Sequence, residues 1–127
     1  MIPSSTNRGA RVRRFSSHLI GVDQGSLVLF ADFKDGGAMW TGEGPREMRR
    51  RVDFDGRFLE PPMVTIGLSM WDMGGATNQR ADIGAEEVTT EGFTIVFRTW
   101  GDSRVARVRA DWTAWGEVRD EDDWEVR

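Results

Sequence analysis

The chain of 127 residues contains no cysteine. That removes disulfides, thiolate metal sites and any Cys-His nucleophile at once, and it leaves the redox compartment undetermined. Histidine is almost as scarce. His18 is the only one, so any Ser-His-Asp arrangement would have to use it. It sits in a stretch without clear periodicity, where a lone histidine is more often a surface or packing residue than a base. No apolar run approaches the length needed to cross a bilayer as a helix. The opening "MIPSSTNRGARVRRFSSHLIG" has basic residues but neither a continuous apolar core nor a small-residue cleavage pattern, so no classical secretory signal is expected. The stretch "GGAMWTGEG" lacks the Lys-Ser/Thr pair and the strand–helix setting of a phosphate loop. "DEDD" at 120–123 lacks the glycine and closing glutamate of a calcium loop. Acidic residues are plentiful, but no spacing singles out a pair for glycoside hydrolysis. The expectation is a protein that is not an enzyme and needs no cofactor or metal.

What is present is a mildly acidic, glycine-rich composition. A formal charge of -4 and a pI near 5.0 argue against a dedicated nucleic-acid binder, which usually carries a basic field. Hydrophobic content of 39% and a mean hydropathy of -0.48 fit one soluble globular domain, long enough to bury a core. Lys34 is the only lysine, so the basic side chains are planar arginine forks suited to carboxylates, hydroxyls and aromatic faces. "RGARVRR" (8–14) and "REMRRR" (46–51) read as solvated basic runs, and "RDEDDWEVR" as an acidic end. The expected organisation is a basic arm over 1–20, a domain over 21–118 and an acidic tail over 119–127.

Within the domain the dominant period is two. "SLVLFADF" (26–33) is strand-like and "KDGG" turns the chain. The segment 38–48 reads as loop, interrupted by Gly42, Gly44 and Pro45, after which Val52 and Phe54 alternate with charge. "MVTIGLSMW" places Val64, Ile66, Leu68 and Met70 on one face. Phe93, Ile95 and Phe97 alternate with Thr94, Val96 and Arg98, and Ala106, Val108, Ala110, Trp112 and Ala114 form the apolar face of the last run. A strand weakened by Gly84 fits "QRADIGAEEV". No segment shows a helical stripe. Five or six short strands joined by glycine-rich turns predict an all-β, antiparallel sandwich with edges that invite oligomerisation.

Six tryptophans are many for this length. Trp112 lies on an apolar face and is expected in the core. Trp40, Trp71 and Trp100 flank turns, where an aromatic face can meet either core or ligand. The order of features from "VDFDGRFLEPPMVTIGLSMWD" through "QRADIGAEEVTTEGFTIVFRTWGDSRVARVRADWTAWG" resembles the H-type lectin domain of snail agglutinins and of the discoidin C-terminal region. The shared features are a Phe before a Pro-Pro-led strand, an aspartate at its end, an arginine opening the next strand, a Gly-Phe, a Thr-Trp corner and a final strand of the form "v.W.A.G". These features cover about residues 52–116. The upstream "REM" (46–48) extends the likeness toward residue 41.

The resemblance implies a six-stranded antiparallel β-sandwich that assembles as a homo-trimer or hexamer. It implies calcium-independent binding of galactose-type sugars, especially N-acetylgalactosamine, in clefts between subunits. By position, the family's sugar-binding arginine falls on Arg80 and its Thr-Trp corner on Thr99 and Trp100. The acidic loop residue supplied by a neighbouring subunit falls on Glu43, and a glycine contact on Gly42 or Thr41. Trp71 is a further candidate for the apolar wall. The chain departs from the snail proteins at Gly101 and Asp102, where they have a histidine after the tryptophan, and at Glu43, where they have aspartate. Arg80 could alternatively be a strand-surface charge paired with Asp82 or Glu86, and Asp102 a residue capping its own turn.

The expected function is non-enzymatic, multivalent attachment to cell-surface or capsular glycans. The alternative is a structural module, such as a spike or fibre component of a phage-like particle, docked through residues 1–20 with or without sugar binding. Either role would be played outside cells, with release by lysis in place of a signal peptide, and with neither nucleic acid nor membrane insertion involved.

Overall fold

The computed structural model describes residues 12–16 and 19–119. Most of the basic arm, the acidic tail beyond residue 119, His18 and Trp124 lie outside the described residues. Among the described residues are six strands: β1 (Ile20–Ala31), β2 (Arg46–Asp53), β3 (Met63–Met73), β4 (Asp82–Glu86), β5 (Gly92–Thr99) and β6 (Val105–Glu117). They form two antiparallel three-stranded sheets, ordered β1-β6-β3 and β2-β5-β4. Two four-residue helical turns, α1 (Asp32–Asp35) and α2 (Ala38–Thr41), join β1 to β2.

The core lies where the two central strands face each other. Phe93, Ile95 and Phe97 of β5 and Val108 and Ala110 of β6 are all 0% exposed. Trp112 meets Phe93 edge-on at 5.3 Å, and Phe54 closes the cluster against both rings. Small residues on β6 and β1 make room for these rings. A Cβ at Gly25 would lie 2.7 Å from the indole nitrogen of Trp112, and one at Gly116 would lie 3.0 Å from Phe58.

That exchange of bulk explains why β1 is longer than the sequence pattern predicts. Its first half puts Gly21, Asp23 and Gly25 opposite Gly116, Ala114 and Trp112. The inward positions carry no large apolar side chain, so no alternation is visible. At its other end Asp32 and Phe33, expected to continue the strand, enter α1 instead. The segment 38–48 is not wholly loop either, since α2 and the start of β2 fall within it. In β3 a register shift between Leu68 and Met70 sets Met70 opposite the exposed Arg109. Met73 replaces it against the core.

The second sheet buries its central strand on both sides. Val96, on the outward face of β5, is 0% exposed. Its neighbours in register are Arg49 and Gly84. The cover is a closed ring of charge. Glu47 bonds Arg49 at 3.3 Å and Arg98 at 2.9 Å, and Glu86 bonds the same two arginines at 3.3 and 3.2 Å. Glu87 adds a contact to Arg49 at 3.5 Å. Arg51 donates to the carbonyl of Glu87 and to Thr89, and Arg50 reaches across to the carbonyl of Leu29 at the bulge in β1. The run "REMRRR" is therefore not a free charged surface. Every arginine in it has a defined partner.

Such exposed pairs contribute little individually, so the apolar stem of Arg49 matters more than its charge. Arg49→Met is expected to leave urea unfolding nearly unchanged. Phe93→Ala should cost about 3–5 kcal/mol in urea unfolding. Hydrogen bonds from Arg49 and Arg98 hold the Glu47 carboxyl below its ordinary value of 4.5. A depressed carboxyl stabilises the fold above its unfolded value and loses that contribution as pH falls through its folded value. Glu47→Gln should therefore lower stability at neutral pH and flatten its further loss as pH falls below 4.5, as read by unfolding curves across pH.

Candidate functional site

At one end of the sandwich the chain leaves β1, β3 and β5 and re-enters β2, β4 and β6, so three loop segments (32–45, 74–81 and 100–104) meet there. Arg46, the first residue of β2, ties two of them together. Its Nε donates to the carbonyl of Gly44 at 2.9 Å. Nη1 donates to Ser103 at 2.8 Å and Met39 at 3.1 Å, with a longer contact to Ala38 at 3.4 Å. Nη2 donates to Gly101 at 3.1 Å. The backbone adds Gly44 N–H to Gly101 O at 2.9 Å.

The third segment is attached through Ser103, which is 0% exposed. Its hydroxyl donates to Asn78 O at 2.7 Å and accepts from Arg80 N–H at 2.9 Å. Thr99, also buried, donates to Arg80 O at 2.6 Å. Arg80 precedes β4, so these two hydroxyls do for its backbone what a ladder does for a strand residue. They leave its side chain at the rim, 34% exposed.

The Arg80 guanidinium bonds Asp102 through Nη1 at 2.6 Å. Asn78 Nδ2 donates to the same carboxylate oxygen at 3.3 Å. The Arg80 bond, followed by those from Asn78 and from Asp102's own backbone, holds the Asp102 carboxyl below the usual aspartate range. Arg80 thus pairs with neither Asp82 nor Glu86, and Asp102 is both its counter-ion and a turn residue. Gly101 lies beneath the guanidinium at φ 69°. A Cβ there would sit 3.0 Å from Arg80 Nη1. A side chain at the place of the family histidine would meet the Arg80 guanidinium from a left-handed backbone conformation that favours glycine.

The other expected residues fall around this cluster. Gly42 packs on Arg46, where a Cβ would come within 2.9 Å of its Cδ and 2.6 Å of Ala38 O. Thr41 turns inward to cap Gly37 O. Glu43 is exposed and has no hydrogen bond or ion pair among the described residues. Trp100, 43% exposed, lines a shallow groove of about 240 Å³ with Pro45, Glu47 and Arg98, on the β2 side of the Gly101 turn. Trp71 is 58% exposed on β3, in register with Val108. It makes no contact with Arg80 or Asp102 in the described structure. Trp40 joins neither group. It meets Phe33 edge-on at 5.0 Å, with Arg104 over its ring.

One chain therefore gathers Arg80, Gly101 and Asp102 with the loop bearing Gly42 and Glu43, while Trp100 faces the other flank. Sequence reasoning missed Ser103, Asn78 and the role of Arg46. A larger groove of about 680 Å³ at the opposite end, lined in part by Asp23, Asp55, Arg57 and Leu59, contains none of the expected site residues.

The model of the H-type lectin domain matches residues 49–115. The chain belongs to that family. It is 64% identical over 107 residues to the "ATP synthase subunits region ORF 7" protein of Fuscovulum blasticum, covering 84% of this chain and 93% of that protein. It is 38% identical over 81 residues to a Discoidin-1 polypeptide of Dictyostelium discoideum, covering 63% of this chain but 32% of the discoidin. The structure of recombinant discoidin II from the same organism superposes with a TM-score of 0.69 at 28% identity, over 87% of this chain and 41% of that one. The antiparallel two-sheet architecture is shared with discoidin II.

Arg46 reaches carbonyl groups that no lysine could satisfy together. Arg46→Lys should cost about 2–3 kcal/mol of stability. Amide shifts in an NMR comparison should concentrate at residues 38–44 and 100–104. Shifts confined to residues 45–47 would show the loops hold without it.

Proposed function

We propose that this protein is a non-enzymatic lectin that binds galactose-type or capsular glycans at the Arg80 end and engages them multivalently. The observation that carries the reading is Arg80 itself. Its backbone is fixed by two buried hydroxyls, while its Nε and Nη2 have no partner among the described residues. A rigid base with a free planar fork is suited to adjacent sugar hydroxyls. Trp100, on the other flank of the Gly101 turn, offers an exposed aromatic face that a ligand longer than one sugar would reach.

The cleft completed by a second subunit is supported by two features. Glu43 is an exposed carboxylate without a partner among the described residues, as a group reserved for another chain would be. On the outer face of the β1-β6-β3 sheet, Val22, Trp115 and Met63 form one cross-strand row and are 56%, 42% and 37% exposed. A row of this kind is a natural contact between copies. Light scattering should therefore give a trimer or a multiple of three, and Trp115→Arg should dissociate it. A monomeric parent at micromolar concentration would remove the shared cleft.

Single small sites bind weakly, so attachment would depend on several acting together. Action outside cells, on a particle that docks residues 1–20, fits such a role. The described part of the arm lies against the domain, with Ser16 N–H bonded to Glu117 at 3.0 Å and Arg13 to Pro61 O.

Removing a charged donor from two hydroxyls costs about 1.5–3 kcal/mol, so Arg80→Ala should weaken glycan binding by roughly tenfold to a hundredfold. Arg80→Lys should recover part of it, and the melting temperature should barely change. An Arg80→Ala protein that binds a glycan array like the parent would place the site elsewhere.

A further inference from the structure

We propose that Asp102 sets the charge class of the ligand: by occupying Arg80, it makes the site accept neutral sugars and refuse acidic ones. The inference rests on the sugar-binding reading of Arg80 given above and adds a residue that decides which sugars qualify.

An unpaired arginine at a protein rim is a receptor for anions. Carboxylates, sulfates and phosphates take two parallel N–H bonds from its fork, and charge attraction adds to them. Arg80 is not in that state. Its Nη1 is held by Asp102 at 2.6 Å, which removes the end-on pair of donors. The side-on pair, Nε and Nη2, remains without a partner among the described residues. It belongs, however, to an ion pair whose net charge is zero.

The carboxylate that cancels the charge is itself 54% exposed at the same rim. An incoming carboxylate or sulfate would meet that charge at close range. A hydroxyl meets no such repulsion. It accepts from the side-on fork with its oxygen and donates its own proton to a neighbouring acceptor.

The pair is built into the turn and is not a chance contact of two long side chains. Asp102 is oriented by Asn78 Nδ2 at 3.3 Å. Gly101 at φ 69° lets the guanidinium lie flat on the turn beside it. Asn78, Arg80 and Asp102 all join at Ser103, which holds the backbone of the first two and follows the third in sequence. Discrimination of this kind, by a repulsive element placed beside an attractive one, is a common source of specificity.

The test replaces Asp102 with asparagine, which keeps the shape and removes the charge. Asp82→Asn is the control, because it makes the same change in net charge at an exposed residue that faces Arg98 at 3.8 Å. The first probe is inorganic sulfate, followed by the side-chain NMR signals of Arg80. The parent and Asp82→Asn should show no saturable response. Asp102→Asn should bind sulfate with a Kd on the order of tens of millimolar, and Asp102→Asn combined with Arg80→Ala should lose it.

The second probe is a pair of surfaces, one bearing galactose and one bearing galacturonate, which differ by the carboxylate alone. The parent should prefer galactose by at least about tenfold, and Asp102→Asn should reduce that preference by about tenfold. Sulfate binding by the parent as tight as by Asp102→Asn would overturn the proposal. So would an unchanged sugar preference in the variant, or a parent that prefers galacturonate. A gain of sulfate binding in Asp102→Asn with no protein binding either sugar would instead sink the galactose reading and leave Asp102 as the group that screens Arg80.

Discussion

The loop end of this molecule depends on one guanidinium. Arg46 donates to carbonyls of α2, of the 42–45 loop and of the 100–104 turn, and Ser103 carries the connection on to Asn78 and Arg80. Each carbonyl belongs to a chain segment outside the sheet ladders, where a half-buried acceptor left unmatched would be costly. A planar, permanently charged fork can satisfy several of them from one point. The loops consequently behave as an extension of the sheets. Arg80, placed on such loops, has its backbone held in a fixed position.

The sheets impose a related economy. With three strands each, both have one central strand, and in the second sheet even the outward face of that strand is shielded. The shield over Val96 is built from arginine stems and a ring of alternating charge. Charge therefore has two uses in the same short stretch of β2. Arg46 gathers backbone carbonyls at the rim, whereas Arg49 and Arg51 cover the sheet. The difference lies in depth and partners, and nothing in the residue type foretells it.

Membership of the H-type lectin family accounts for the scaffold. Gly101 and Asp102 act as a unit. The glycine allows the left-handed turn and the close approach of Arg80, and the aspartate occupies the space beside that arginine. A side chain after Trp100 would press on the Arg80 guanidinium, which would have to give way.

The sequence by itself determined the class of fold and the stretch that belongs to the family. Period-two alternation in β3, β5 and β6 reports burial on one face of a strand, and burial of that kind is a local property of the side chains. The same logic failed where the pattern was hidden by packing partners. The inward glycines of β1 make sense only beside Trp112, and the helical turns α1 and α2 follow from contacts with Asp32 and Arg46 that lie several residues away. Arg80 could be picked out by its place in an ordered set of motifs. Its partner could not, because Asp82, Glu86 and Asp102 are equally plausible counter-ions along the chain and only the crossing of loops from β3 and β5 brings Asp102 within 2.6 Å. Ser103 carried no signal at all, since a buried hydroxyl that joins two loops looks like any other serine until both are in place. Which residues are apolar and how they alternate is written in the chain; which charges meet is decided by the tertiary structure, because ion pairs and hydrogen bonds form between groups close in space, however far apart they stand in sequence.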